Sequence, residues 1–309
     1  MAYLKLIRSN NLLIMAVTMF LVRYYLIMPP LGMVEVNLQS SLADFSLLVL
    51  AMILMSAGGY IINDIFDMDI DSTNRAGGPI VGNLVPLRLA KNLYWFSNLA
   101  AFLIMVYLSI RMANWQLLLI MVMLGGLLWF YSERYKRQML VGNLVVAFVT
   151  SAGITMVWLF EFFQLQQDAA VFVQATRVMP LMSGLVFAYV LFSFLSTIIR
   201  EIVKDIQDME GDRRFGCRTF PIVYGEITGR NLAAGLLIIL IIMIGFWQYI
   251  LFLKDMKAAF MVLFLALGVG LAALVRLSFA NKSEHYSTVS ALLKLLMLAG
   301  ILSIVFLNY

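Results

Sequence analysis

The stretch from Leu42 to Asp71, LADFSLLVLAMILMSAGGYIINDIFDMDID, decides the fold. Its first part, Leu42–Ile62, carries a single charge, Asp44. A helix needs about 20 apolar residues to cross roughly 30 Å of hydrocarbon, and this run is long enough. It is continuous rather than alternating, so it is not a barrel strand, which would switch faces over about ten residues. The next residues, Asn63-Asp64-Ile65-Phe66-Asp67-Met68-Asp69-Ile70-Asp71, are as acidic as the preceding ones are apolar. The chain thus reads as a membrane span that delivers carboxylates to one of its ends.

Working outward, similar apolar runs fall at about 11–28, 90–110, 113–131, 141–160, 178–199, 231–253, 257–278 and 288–307. With 42–62 they predict nine spanning helices in a single all-α domain over 1–309. Composition agrees. The 309 residues are 63% hydrophobic and 13% charged, and mean hydropathy is +0.94. A soluble domain carries about a quarter charged residues. Its core could not absorb this much apolar side chain, so the bilayer must solvate most of it. Lys5 and Arg8 ahead of the first run resemble the start of a signal peptide. No small-x-small cleavage site follows, so the run is read as a retained helix.

Nine spans put the termini on opposite sides. The loops on the N-terminal side hold most of the basic residues, among them Lys5, Arg8, Arg75, Arg88, Lys91, Lys136, Lys204, Arg213 and Arg214. The other side holds Arg23, Arg111, Arg177, Lys254 and Lys257. The positive-inside rule places the N-terminus in the cytoplasm, in the cell (plasma) membrane. The net charge of +5 then reports topology and anionic lipid contact, with no aromatic-basic groove for nucleic acid. The single cysteine, Cys217, excludes an internal disulfide, and the single histidine, His285, cannot build a histidine metal site alone.

Two long loops on the cytoplasmic side, about 63–89 and 200–230, gather the acidic residues. Lys204-Asp205-Ile206-Gln207-Asp208-Met209-Glu210-Gly211-Asp212 repeats the D-x-x-D-x-x-x-D of the first cluster. Each aspartate follows its counterpart by 141 residues: 64 to 205, 67 to 208, 71 to 212. This points to a four-helix internal repeat. On a helix, positions i, i+3 and i+7 share a face, so each segment presents three carboxylates along one stripe. Such a stripe is self-repelling unless cations sit between the carboxylates.

Hard oxygen ligands without Cys or His indicate Mg²⁺. Mg²⁺ keeps few protein carboxylates and completes its shell with water and substrate phosphates, so two facing clusters would hold a diphosphate. Arg75, Lys136, Lys204, Arg213 and Arg214 could take the remaining oxygens. Metal and basic groups stabilise a departing diphosphate and so ease ionisation of an allylic C–O bond. The apolar bundle would shelter the tail and the cation. A lone acidic cluster is more often a solvated helix face, whereas two of identical spacing at span ends favour the metal reading.

These residues resemble the UbiA superfamily of intramembrane prenyltransferases. Asn63 to Asp71 fits the family's N-D-x-x-D-x-x-x-D, and Asp208 with Asp212 fits its D-x-x-x-D. Tyr131-Ser132 with Lys136 is similar to its Y-S-x-x-x-K, continued by Gly142-Asn143. The resemblance spans the chain and implies a nine-helix bundle with two cytoplasmic cap loops. It implies Mg²⁺ at Asn63, Asp64, Asp67, Asp71, Asp205, Asp208 and Asp212. Diphosphate contacts fall to Asn63, Arg75, Tyr131, Lys136 and Lys204, and catalysis to Asp67, Asp71, Asp208, Asp212 and Lys136.

Arg200 to Ile206, Glu210-Gly211-Asp212-Arg213 and Arg218 to Gly225 look most like the branch that alkylates geranylgeranylglycerol phosphate in ether-lipid synthesis. The implied partners are geranylgeranyl diphosphate, a membrane-associated acceptor and the bilayer, with no obligate protein partner. The quinone and chlorophyll branches share E-G-D-R, so an aromatic acceptor stays open as the alternative. Where the family reads N-R-P-x-R-P-I, this chain has Asn74-Arg75-Ala76-Gly77-Gly78-Pro79-Ile80, and a following basic position is Asn83. Those changes weaken diphosphate contacts or shift them to Arg88 and Lys91. The R-P pair of the family's N-terminal motif is Arg8-Ser9 here. Other classes fit less well. CDP-alcohol phosphotransferases need a D-G-x-x-A-R run absent here, and a cation transporter places its charges near the midplane. A degenerate binding protein is the remaining non-enzyme reading.

Overall fold

The computed structural model describes residues 1–74 and 78–307, and for Thr73 and Asn74 the backbone only. Arg75, Ala76 and Gly77 lie outside the described residues. Nine helices in the described residues are long and apolar enough to span a bilayer, and the protein is an integral membrane protein. They are α1 (Ser9–Gly32), α2 (Leu42–Phe66), α3 (Leu87–Arg111), α4 (Gln116–Glu133), α5 (Val141–Leu165), α6 (Met179–Gln207), α7 (Glu226–Leu253), α8 (Lys257–Ser278) and α9 (Ser283–Phe306). No strand of more than an isolated bridge occurs among the described residues.

The chain forms two compact units. One comprises Met1–Tyr135 with Ala152–Phe187, the other Lys136–Ser151 with Ala188–Tyr309. One boundary falls in the turn between α4 and α5, and the other two fall inside α5 and α6.

In the first unit α2 is the most buried of the spans. Ser41 starts it as an N-cap, accepting from the Asp44 N–H at 3.0 Å, which satisfies one of the orphan donors of the first turn. Phe45, Leu48, Met52 and Ile61 are buried along it. Gly58 and Gly59 let neighbours approach its backbone, because a methyl group on Gly58 would strike the Asn98 amide of α3. One on Gly59 would lie 2.8 Å from Leu128 Cδ1 of α4. Small residues at such contacts are how membrane helices reach close packing without a hydrophobic drive between them.

The first span is less regular than its apolar run suggests. It passes through a π-helical stretch, Val22–Ile27, before Met28–Gly32, where Pro29 and Pro30 supply no N–H to the ladder. Arg23, expected among the loop residues opposite the N-terminal side, instead lies in this stretch and is fully buried. Its Nε sits 2.9 Å from Glu161 Oε1 of α5, and its Nη2 donates to the Ser40 carbonyl and Oγ, each at 2.8 Å. Ser40 Oγ donates in turn to Glu161 Oε1 at 2.7 Å, and the guanidinium stacks 4.3 Å from the Phe45 ring. The cluster compensates most of a charge pair that the hydrocarbon would otherwise reject, leaving Arg23 Nη1 without a hydrogen bond.

In the second unit α7, α8 and α9 pack around small contacts such as Gly270, which faces Leu296 and Ile241, and Gly300 of α9 faces the Phe192 ring of α6. Tyr189 of α6 shares a 2.8 Å hydrogen bond with Ser303 of α9.

Candidate active site

Both acidic motifs are more helical than loops. α2 continues to Phe66, four residues past its apolar run, and α6 continues to Gln207. Each helix then breaks at one residue and resumes as a short helix, Met68–Asn74 after the first break and Met209–Arg214 after the second. The breaking residues are Asp67, with φ −93° and ψ 3°, and Asp208, with φ −96° and ψ 2°. These dihedrals are nearly the same, in the bridge region that helix ends elsewhere in the chain also adopt, as at Met112 and Lys254. Neither break ends the i→i−4 ladder. The Asp67 N–H donates to the Asn63 carbonyl at 3.0 Å and the Asp71 N–H to the Asp67 carbonyl at 2.7 Å. In the second motif the Asp208 N–H donates to the Lys204 carbonyl at 2.9 Å, and the Asp212 N–H to the Asp208 carbonyl at 3.0 Å. The repeat read from the 141-residue spacing is therefore a repeat of backbone geometry as well.

In the first motif Asn63, Asp64, Asp67 and Asp71 are all buried, Asp64 at 1% exposure and Asp67 at 2%. Asn63 Nδ2 donates to Asp67 Oδ2 at 2.7 Å. Arg8, read from sequence only as a topology charge and a motif remnant, reaches Asp64 Oδ1 at 3.3 Å. Its guanidinium lies over the Tyr60 ring, 4.8 Å from the centroid. Sequence spacing had no way to show this pairing, since 56 residues separate the partners.

In the second motif Asp212 is buried and Asp205, Asp208 and Lys204 are partly exposed. Asn143 Nδ2 of α5 donates to Asp205 Oδ2 at 2.8 Å. Asn143 appears in the sequence as a continuation of the tyrosine–serine motif, and the structure gives it this role. Lys204 Nζ lies 3.2 Å from Glu201 Oε2, a part-exposed pair that leaves the ammonium only loosely committed. Lys136 sits in a 3₁₀ turn, Tyr135–Arg137, and Tyr131 lies in the last turn of α4; both are partly exposed. Arg213 and Arg214 are exposed.

Gly78, where the family pattern has arginine, has φ +71°, a left-handed conformation costing a side-chain residue roughly 1–2 kcal/mol. The turn thus accounts for the glycine. Gly82 also has positive φ, and its N–H donates to the Val85 carbonyl at 2.8 Å, closing a tight loop before α3. Arg88 and Lys91 lie exposed on the first two turns of α3.

Among the described residues no three acidic, histidine or cysteine side chains are gathered into a ready metal cluster. The donor set nevertheless suits a hard divalent cation, being carboxylate and amide oxygen with no sulfur or imidazole. Mg²⁺ needs only one or two carboxylates beside waters and substrate phosphates. Asn63 and Arg8 meanwhile engage Asp67 and Asp64, which eases the repulsion among buried carboxylates.

Nine apolar spans and two acidic motifs at span ends, the first buried and the second partly so, define the class, an integral membrane enzyme. The chain belongs to the UbiA prenyltransferase family, which it matches over residues 11–304, and it is a prenyltransferase. It is 29% identical over 303 residues to the digeranylgeranylglyceryl phosphate synthase of Sulfurisphaera tokodaii, covering 96% of each chain. It is 27% identical over 237 residues to the synthase of the same name from Methanobrevibacter smithii, covering 77% of this chain and 74% of that one. Among solved structures, that of a digeranylgeranylglyceryl phosphate synthase superposes with a TM-score of 0.64 at 25% identity, over 98% of this chain and 96% of that one. A UbiA homologue from Archaeoglobus fulgidus bound to GPP and Mg²⁺ shares the fold with a TM-score of 0.57 at 16% identity, over 99% and 100% of the chains.

Proposed function

We propose that this protein transfers a geranylgeranyl group from its diphosphate to the free hydroxyl of geranylgeranylglycerol phosphate, in ether-lipid synthesis. Residues 1–309 act as one catalytic domain. Asp64, Asp67 and Asp71, with Asn63, and Asp205, Asp208 and Asp212 hold Mg²⁺. Arg75, Tyr131, Lys136 and Lys204 contact the diphosphate, and the active site opens on the cytoplasmic side. The observation that carries the reading is the pair of acidic motifs. Two segments of identical aspartate spacing, each with the same helix break, stand at the polar ends of two spans and bury Asp64, Asp67, Asp71 and Asp212 there.

The metal, when bound, neutralises the diphosphate as it leaves. The chain's own part is to hold that leaving group with Lys136, Lys204 and Tyr131 and to keep water from the allylic carbon with its apolar spans. Asn63 and Asn143 orient the carboxylates of Asp67 and Asp205. The relatives named for digeranylgeranylglyceryl phosphate support the acceptor, and the relative bound to GPP and Mg²⁺ supports the donor and the metal. The basic residues on the N-terminal side of the spans support the orientation.

The test is prenyl transfer in detergent with Mg²⁺ and radiolabelled geranylgeranyl diphosphate, offering geranylgeranylglycerol phosphate and an aromatic acid in parallel. Product on the glycerol phosphate alone is expected. Product on the aromatic acid alone would overturn the acceptor and move the chain to the quinone branch.

A further inference from the structure

A cleft of about 460 Å³ opens among α2, α3 and α4 of the first unit, away from the acidic motif's own ligands. That size lies within the roughly 300–1,000 Å³ of ligand-sized pockets. Trp95 and Phe102 of α3 and Val122, Gly125, Gly126 and Trp129 of α4 line it. Trp95 is 68% exposed and Val122 53%, so the cleft faces the hydrocarbon. The two glycines make its hollow, because a methyl group on either would meet nothing within 4 Å.

The cleft has one polar end. On α3 its lining follows the stripe Trp95, Asn98, Phe102, and the same stripe continues backward, at i−4 and i−7 from Trp95, to Lys91 and Arg88. Lys91 is therefore one helical turn, about 6 Å, beyond the tryptophan. Neither cation has an ion-pair partner among the described residues. Arg134 caps α4 on the same polar end, where exposed Glu133 is the opposing charge. Trp95 and Trp129 lie near that end, in the position of an interfacial aromatic belt. An apolar hollow, an aromatic belt and then two cations describe a lipid with a hydrocarbon chain and an anionic head.

We propose that this cleft retains one anionic phospholipid, its chain along Gly125 and Gly126 and its phosphate against Lys91 and Arg88. An apolar transmembrane helix fits less well, because it would leave the two cations without a countercharge that an anionic headgroup supplies. Arg88 and Lys91 thereby serve the surrounding lipid and not the diphosphate. Lipid retention needs no turnover, so its outcome is separate from that of the prenyl-transfer assay.

Native mass spectrometry of the full chain, titrated with dioleoyl phosphatidylglycerol or dioleoyl phosphatidylcholine, tests the proposal. The wild-type protein should keep one phosphatidylglycerol at collision energies that strip phosphatidylcholine. Gly126→Leu should lower that retention at least about tenfold. The same change favours the helix and fills open space, so lost retention would not stem from misfolding. Arg88→Gln with Lys91→Gln should bind the two lipids alike, since the selectivity rests on charge. Equal retention of both lipids by the wild type, or undiminished retention by Gly126→Leu, would overturn the proposal. So would a dimer that Gly126→Leu dissolves, or loss of geranylgeranyl diphosphate binding in the Arg88/Lys91 variant with its lipid retention intact.

Discussion

Replacing Glu161 by leucine while keeping Arg23 leaves a guanidinium buried in the first unit with its countercharge gone. The two side chains are 2% and 1% exposed, their charged atoms are 2.9 Å apart, and water has no access to compensate. Breaking such a pair from one side costs about 3–5 kcal/mol. Arg23→Met strands Glu161 and removes two hydrogen bonds to Ser40, so a similar loss of about 4 kcal/mol is expected. The double variant Arg23→Met/Glu161→Leu is the informative case. It removes both charges together and leaves only the Ser40 carbonyl and hydroxyl short of partners, a cost of about 1–3 kcal/mol. The double variant should therefore be more stable than either single one, though below the wild type. SDS-induced unfolding of the purified proteins in mixed micelles measures all four corners. A double variant as unstable as the sum of the singles would show that the two charges do not compensate each other.

Three further outcomes follow from other parts of the molecule. Gly300→Ala sets a methyl group 2.6 Å from Cε1 of the Phe192 ring, a rigid neighbour, and should cost about 1–3 kcal/mol and lower the melting temperature by several degrees. An unchanged melting temperature would mean that α6 and α9 are looser there than their packing implies. Asn143→Leu removes the 2.8 Å donor to Asp205 and should cut kcat/KM about 10- to 100-fold while the protein stays folded, as one lost charge-assisted hydrogen bond allows; wild-type kinetics would remove Asn143 from the site. Excess EDTA should abolish prenyl transfer and added Mg²⁺ restore it, and transfer that survives the chelator would exclude the oxygen-ligand metal reading.

The spans were legible because a bilayer demands long apolar runs, and such a signal survives without tertiary context. All nine appear in the structure, with the ends of α2 and α6 carried further by residues that are acidic yet still helical. The two motifs were legible from their spacing. Their common break at Asp67 and Asp208 was not, since neither position has the glycine or proline that usually marks one. Arg23 was misplaced among the loop charges because a cation near the end of an apolar run usually snorkels to the interface. Its partner Glu161 lies 138 residues on, and local pattern carries no trace of that contact. Arg8 beside Asp64 and Asn143 beside Asp205 were hidden for the same reason. Gly78 looked like a lost cation, and its positive φ shows that the turn selects glycine at that position.

If each aspartate motif holds Mg²⁺ for the prenyl diphosphate, binding of that diphosphate must depend on both motifs and on the metal. Equilibrium binding of radiolabelled geranylgeranyl diphosphate to the wild type, Asp67→Asn and Asp208→Asn, each with and without Mg²⁺, tests it most directly. Saturable binding by the wild type only with Mg²⁺ is expected, with a loss of at least about tenfold in each variant, the scale of one removed charged ligand. Wild-type affinity in either variant, or metal-independent binding by the unaltered protein, would contradict it.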